Sequence, residues 1–246
     1  MTRDEILATP SMPAFCPSYP HGPYRFVRRE YLIITYETEA AALRAALPEP
    51  LEPLPGNLAF YEWMKMPDAS GFGAYEESGS GCLASFNGEP CSFSVQMFLN
   101  DEAPISGGRE IWGFPKKYGI PRLSVNKDTL TGTLLYDGER VAMGTMVYKE
   151  RALRRLDEIA AGLSRLSVNL KLIPDVDGTP KIAQLVGYNL CDIKVHGAWE
   201  GDARLHLVPH VNCRVADLPA KRVVSARHQI VDLTLPYGRV LHDYLD

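Results

Sequence analysis

The run Gly108-Arg109-Glu110-Ile111-Trp112-Gly113-Phe114-Pro115-Lys116-Lys117-Tyr118-Gly119 sets two adjacent lysines directly behind aromatic and apolar residues. An ammonium ordinarily sits among polar neighbours and reaches into water. A pair flanked by Trp112, Phe114 and Tyr118 therefore implies that at least one amine is held out of solvent. A desolvated amine is a nucleophile. Free lysine ionises with a pKa of about 10.4, so at about pH 6 only roughly one molecule in ten thousand carries the neutral form that attacks a carbonyl. Closing that gap of about four units takes roughly 5 kcal/mol of differential destabilisation.

Burial and repulsion between the two ammonium groups both act in that direction. Pro115 favours an extended Phe114. If the extension continues through Lys116 and Lys117, their side chains leave opposite faces and the nitrogens separate. At about 8 Å and an effective dielectric of about 20 the repulsion is on the order of 2 kcal/mol before screening, so desolvation is expected to be the larger cause. The plainer alternative is that both lysines are solvated loop residues.

Outward from this stretch the chain reads mostly as strands. Residues 1–23, rich in proline, read as an irregular arm over the body of the fold. Glu30–Tyr36 is a β-type run, and Thr38 is an N-cap candidate for a short helix through Leu47, stopped by Pro48. Residues 57–66 alternate, which sets Glu62 on the face of Leu58, Phe60, Met64 and Met66. A carboxylate there is costly unless paired or functional. Residues 68–88, rich in glycine and serine, read as a loop carrying Glu76 and Glu77. Further strands are expected over 91–99, 123–125, 129–136, 140–148, 169–173, 182–195, 203–208 and 222–235, with a hairpin at Asp137-Gly138 and a helix over 151–166. Many strands with two or three short helices imply a single α+β, mainly β domain over residues 1–246, built on an antiparallel barrel or curled sheet. Such an interior would be dry enough for a neutral lysine.

Composition narrows the function. The 246 residues are 46% hydrophobic and 23% charged, with a net charge of −4 and no basic stripe, which argues against nucleic acid as a partner. No apolar run approaches the roughly 20 residues of a membrane helix, and a soluble, cytoplasmic protein is expected. Five widely spaced cysteines, none in a Cys-X-X-Cys pair, suggest neither a disulfide framework nor a zinc site. Phosphate-loop, dinucleotide and zincin motifs have no counterpart, His206 and His210 are separated by Pro209, and Ser78-Gly79-Ser80-Gly81 lacks the first glycine of a nucleophile elbow. No cofactor and no metal are expected.

Arg109-Glu110 followed by Phe114-Pro115-Lys116-Lys117 resembles the signature of the acetoacetate decarboxylase family, for which lysine activation by desolvation or a cationic neighbour is the established account. Similar segments follow in order along almost the whole chain: Pro20-His21-Gly22-Pro23-Tyr24, Arg28-Arg29-Glu30-Tyr31, Leu47-Pro48-Glu49-Pro50-Leu51, Tyr75-Glu76-Glu77-Ser78-Gly79, Ser85-Phe86-Asn87-Gly88, Asp128-Thr129-Leu130, and His196 with Ala198-Trp199. The resemblance implies a conical β-barrel with an interior site, a small 3-oxo acid as substrate, and a large homo-oligomer with a dodecamer as the candidate subunit number. It makes Lys116 the Schiff-base lysine, Lys117 its catalytic neighbour, Glu62 and Glu77 the site carboxylates, and Arg29 the partner of the substrate carboxylate. Of the two glutamates, Glu62 is read as the more buried, with a raised pKa and a role in proton transfer, while Glu77 orients Arg29 or substrate. The same superfamily holds Schiff-base aldolase-dehydratases acting on pyruvate and aldehydes, which tend to alter the arginine and glutamate positions kept here. A non-catalytic small-ligand barrel is the third reading. Trp112 is bulkier than the residue at that place in the best-known members, so pocket shape could differ.

Overall fold

In the computed structural model, which describes residues 1–246, the chain opens on helix α1 (Arg3–Ala8), where the sequence reading expects only an irregular arm. Thr2 accepts from the Glu5 N–H while Glu5 Oε2 accepts from the Thr2 N–H, a reciprocal cap that holds this short helix although none of its residues is buried. Strand β1 (Tyr24–Glu37) is longer than expected at both ends. Helix α2 (Ala40–Ala46) stops before Pro48, but its N-cap is Glu39; Thr38 is itself buried with its hydroxyl unpartnered.

After β2 (Glu52–Pro53), β3 (Leu58–Ala69) and β4 (Gly73–Phe86) pair as a long antiparallel hairpin. Strand β4 corrects the reading of residues 68–88 as a loop. A Cβ on Gly81 would lie 2.3 Å from the Phe60 ring, and one on Gly79 2.6 Å from the Gln96 carbonyl oxygen. These small residues make room for close neighbours in an extended backbone. Next come β5 (Glu89–Leu99), α3 (Glu102–Gly107) running into a π-helical turn (Gly108–Trp112), and the three-residue β6 (Lys116–Tyr118).

Strands β7 (Ile120–Asn126), β8 (Thr129–Tyr136) and β9 (Glu139–Val147) form a meander. Its second turn has Asp137 at φ 52° and Gly138 at φ 85°, the left-handed pair that an Asp-Gly hairpin provides. The helix expected over 151–166 is shorter: Arg151–Ala152 forms β10 and pairs with Trp199 and Glu200, leaving α4 (Leu156–Leu163). Strands β11 (Ser167–Pro174), β12 (Pro180–Tyr188), β13 (Cys191–Glu200), β14 (Ala203–Leu207), β15 (Arg222–Leu235) and β16 (Arg239–Asp243) complete the chain. The single run read over 182–195 is thus two strands, and β16 has no counterpart in the sequence reading.

The main sheet runs β10-β13-β15-β1-β3-β4-β5-β11-β12-β16, with β2 added on β4 and β6 on β5; a second sheet runs β14-β9-β8-β7. The ladder begins at β10 and ends at β16, which pair with β13 and β12 and not with each other, so hydrogen bonding does not close it into a barrel. It is a curled, mainly antiparallel sheet, with parallel pairing where β5 meets β6 and β11. No helix is long and apolar enough to cross a membrane.

The second sheet is seated on the first through Trp63, which is fully buried. Gly132 and Gly144 pair directly across β8 and β9, and added Cβ atoms would lie 2.2 Å and 2.4 Å from the Trp63 ring. The indole therefore rests on a floor of bare backbone. Gly132→Ala is expected to lower stability by about 2–3 kcal/mol through overpacking. Gly162→Ala, on α4 with open space around it, should raise it by about 0.5 kcal/mol. Urea unfolding checks the pair, and equal effects of the two substitutions would refute the account of the sheet contact.

Candidate active site

Pro115 and Gly113 deliver the lysines to the sheet. Gly113, at φ 73°, ends the π-helical turn in a conformation that other residues resist, and its Cα faces the Lys171 backbone with no room for a side chain. The chain then becomes extended, and β6 pairs in parallel with Met97–Leu99 of β5. Strand alternation separates the two lysines as expected: Lys116 is 6% exposed, whereas Lys117 points outward. Lys117 Nζ donates to the Asn212 carbonyl at 2.6 Å and lies 5.2 Å from the centre of the Tyr136 ring. Its ammonium is fastened on the far face.

Lys116 enters the interior of the curled sheet. Its stem passes so close to Gly108 that an added Cβ there would lie 2.7 Å from Lys116 Cδ. Arg109 Nη1 donates to the Lys116 carbonyl at 3.0 Å and holds the backbone, which assigns the arginine of the Arg109-Glu110 pair a supporting task. Lys116 Nζ forms an ion pair with Glu77 Oε1 and lies 5.2 Å from the Phe114 ring centre.

Glu77 is 3% exposed and belongs to β4, which corrects its expected place on a loop. Its neighbour Glu76 leaves the opposite face, where it accepts from Arg122 Nη1 and from the Leu123 N–H. Glu62, on β3, lines the same cavity as Lys116 and Glu77. Burial pushes its carboxyl up to about 7, the Arg29 guanidinium opposing and the Glu77 charge adding to the shift. The raised pKa matches expectation, but Glu77 is the carboxylate more hidden from solvent, and it faces Lys116.

Arg29 reaches the cavity from β1. Its guanidinium carbon lies 5.0 Å from the Phe26 ring centre and 4.7 Å from that of Tyr31, Nη2 approaches Met64 Sδ, and the buried Nε has no partner. A planar cation packed between aromatic rings with a free donor is prepared for a carboxylate.

Arg29, Glu62, Glu77 and Lys116 thus converge on one cavity of about 320 Å³, and Lys117 does not join them. Tyr31, Tyr75 and Tyr188 also line it; burial raises all three hydroxyls above their ordinary range and keeps them protonated. The sequence reading passed over them. A period-two signal was present for two: Tyr31 follows Arg29 by two residues on β1, and Tyr75 precedes Glu77 by two on β4. Tyr188 carries no local signal.

Comparison with known proteins places the chain as a whole. Residues 9–245 match the family model described as acetoacetate decarboxylase. An acetoacetate decarboxylase of Acidiphilium cryptum is 51% identical over 235 residues, spanning 96% of this chain and 95% of its own. The crystal structure of acetoacetate decarboxylase from Legionella pneumophila superposes with a TM-score of 0.92 at 45% identity, covering 98% of this chain and 96% of its own. Another solved acetoacetate decarboxylase gives a TM-score of 0.97 at 43% identity with complete coverage of both chains. With one cavity gathering its lysine, arginine and paired carboxylates, and with relatedness over almost its full length, this chain belongs to the acetoacetate decarboxylase family.

Proposed function

We propose that this protein decarboxylates acetoacetate to acetone and carbon dioxide through a Schiff base on Lys116. The observation that carries the reading is the buried Lys116–Glu77 contact in a cavity shared with Arg29 and Glu62. In this scheme the Lys116 amine attacks the ketone carbon, water departs, and a protonated Schiff base forms. The bond to the carboxylate carbon then breaks, its electron pair moves through the adjacent carbon to the iminium nitrogen, and carbon dioxide leaves. The resulting enamine takes a proton on carbon, and water hydrolyses the imine to release acetone and the free amine. The iminium is the electron sink, so the chemistry calls for no cofactor.

Each cavity group has a task in this scheme. Glu77, in contact with Nζ, takes the proton that the ammonium must shed before attack. Glu62, near 7, exists in both protonation states around neutral pH and serves to protonate the departing oxygen and, once it has regained a proton from solvent, the enamine carbon. Arg29 receives the substrate carboxylate and fixes its orientation; a looser grip suits it, because binding the ground state too firmly would slow departure of that group. Lys117, fastened to Asn212, is left a minor electrostatic part.

The wider setting follows from the same reading. Side chains from β1, β3, β4, β5, β6, β11, β12 and β15 line the cavity, which supports the conical-barrel description of the enclosure even though the ladder stays open. Homo-oligomer formation is supported by the N-terminal segment, where α1 buries nothing and Phe15 is 96% exposed.

Incubation with acetoacetate and sodium borohydride should leave a reduced adduct on Lys116, found by peptide mapping, while unreduced samples release carbon dioxide. Lys116→Ala should lose both. An adduct without gas would instead point to aldolase-dehydratase chemistry, and no adduct would remove the lysine mechanism. Lys117→Met is expected to change kcat by less than about tenfold, since at the surface side of β6 its charge is well screened; a loss as large as that of Lys116→Ala would refute its minor part. For Glu62, the sign follows from its raised value: the acid form prevails below about pH 7 and is lost above it. The kcat profile should therefore fall as pH rises through this range, and Glu62→Gln should lower kcat and abolish that limb. Retention of the limb in Glu62→Gln would assign it to another group.

A further inference from the structure

Strand β1 changes faces midway. Tyr24 and Phe26 line the cavity, and so do Arg29, Tyr31, Ile33 and Thr35. The first set has even numbers and the second odd, so one extra residue must be inserted between them, because strand side chains alternate with a period of two. The β1–β15 register shows the insertion: Phe26 pairs with Leu233 and Arg29 with Val231, leaving Val27 and Arg28 opposite Asp232 alone. Arg28 there adopts φ 57°, the left-handed region that a side chain as long as arginine enters at a cost. Without the bulge, Arg28 and Glu30 would face the cavity and Arg29 would face away.

Asp232 is bound to this bulge on one side and to β13 on the other. Its Oδ1 accepts from the Arg28 N–H at 2.8 Å, and the same oxygen lies 2.8 Å from His196 Nε2. His196 is in turn the unpaired residue of a bulge in β13, between the pairs Val195–Val231 and Gly197–Ile230. The side chain of Asp232 is 12% exposed and that of His196 21%. Two bulges in the strands flanking β15 thus meet on one carboxylate.

We infer that Asp232, backed by His196, is a positioning residue: it holds the β1 bulge that turns Arg29 and Tyr31 into the cavity. Its kinetic consequence rests on the reading of Arg29 as the receiver of the substrate carboxylate. Its structural consequence rests on the strand geometry alone. Asp232→Ala removes the acceptor that fixes Arg28, whereas Asp232→Asn keeps an oxygen in the same place.

The test joins steady-state kinetics on acetoacetate, borohydride trapping with acetone, which has no carboxylate to grip, and a crystal structure of Asp232→Ala. KM should rise about tenfold in Asp232→Ala, as expected for loss of the acceptor of a part-buried N–H, with a smaller change in kcat. Asp232→Asn should stay within about threefold of the wild type, since its amide oxygen still accepts. Trapping by acetone on Lys116 should persist in both. Combining Asp232→Ala with Arg29→Ala should add nothing to the KM effect of Arg29→Ala alone. The crystal structure should show Arg28 released from positive φ and the Arg29 guanidinium displaced. Unchanged KM in Asp232→Ala, an equally large loss in Asp232→Asn, or loss of acetone trapping would each overturn the inference. Should Arg29→Ala leave KM unaltered, the carboxylate role of Arg29 fails, and the crystal structure decides the bulge by itself: Arg29 undisplaced overturns the assignment, and Arg29 displaced upholds it.

Discussion

The buried contact between the Lys116 ammonium and the Glu77 carboxylate is the constraint that the rest of the fold accommodates. Removing two charges from water costs several kcal/mol apiece, and their mutual attraction offsets this only if the geometry is good. A contact of this kind is therefore poor evidence of stabilisation and good evidence of a task. The sheet provides the geometry through one central strand. On β5, Leu99 pairs with Glu77 of β4 and Met97 pairs with Lys116 of β6, so the two charged residues lie diagonally across a single strand. The parallel attachment of β6 delivers this arrangement. It requires the compact approach made by the π-helical turn, Gly113 and Pro115.

The same alternation that brings charges together also keeps others apart. Glu76 and Glu77 are adjacent, as are Lys116 and Lys117, and in each pair one member enters the cavity while the other is bound elsewhere: Glu76 by Arg122, Lys117 by the Asn212 carbonyl. Two acidic and two basic residues in sequence become one of each in the site. On β1 the alternation by itself would give the wrong outcome for Arg29, and the bulge at Val27-Arg28 shifts the strand by one position. Selection of side chains by strand parity is thus the common device, and the bulge is where parity needed correction.

This explains what the sequence could reveal. The reading of Lys116 and Lys117 on opposite faces required only Pro115 and local strand geometry, and it holds; so does the Asp137-Gly138 turn, whose two residues specify their own backbone. The span of β15 was also legible, because apolar and β-branched residues recur along it at Val223, Val224, Ile230, Val231, Leu233, Thr234 and Leu235 with no Gly, Pro or Asn to break the run. Strand β4 was not, because Gly79 and Gly81 answer to Gln96 and Phe60, residues distant along the chain, while locally they look like a loop. Helix α4 was read too long because Arg151 and Ala152 have partners almost fifty positions away, as the Arg151–Glu200 pairing shows. Among the site groups, Glu62 was visible as a carboxylate out of place in an alternating strand. The relative burial of Glu62 and Glu77 was not, since it depends on how the curled sheet closes over each.

Charge in the cavity gives the enclosure its chemical meaning under the proposed reaction. Arg29 is cationic, Lys116 and Glu77 balance one another, and Glu62 near 7 is partly neutral, so the cavity holds a surplus of positive charge that an anionic 3-oxo acid fills. Once the Schiff base forms, the reacting molecule carries an iminium and a carboxylate together. Loss of carbon dioxide destroys both charges at the same moment: the carboxylate leaves as a neutral gas, and its electron pair neutralises the iminium. Water stabilises separated charges and so favours the state before the bond breaks, whereas a cavity walled by aromatic rings offers less to that state and little penalty to the neutral enamine. The burial that makes an ion pair at Lys116 expensive is therefore the same burial that favours the bond-breaking step, and Arg29, held among rings with one donor unpartnered, can bind the carboxylate without trapping it.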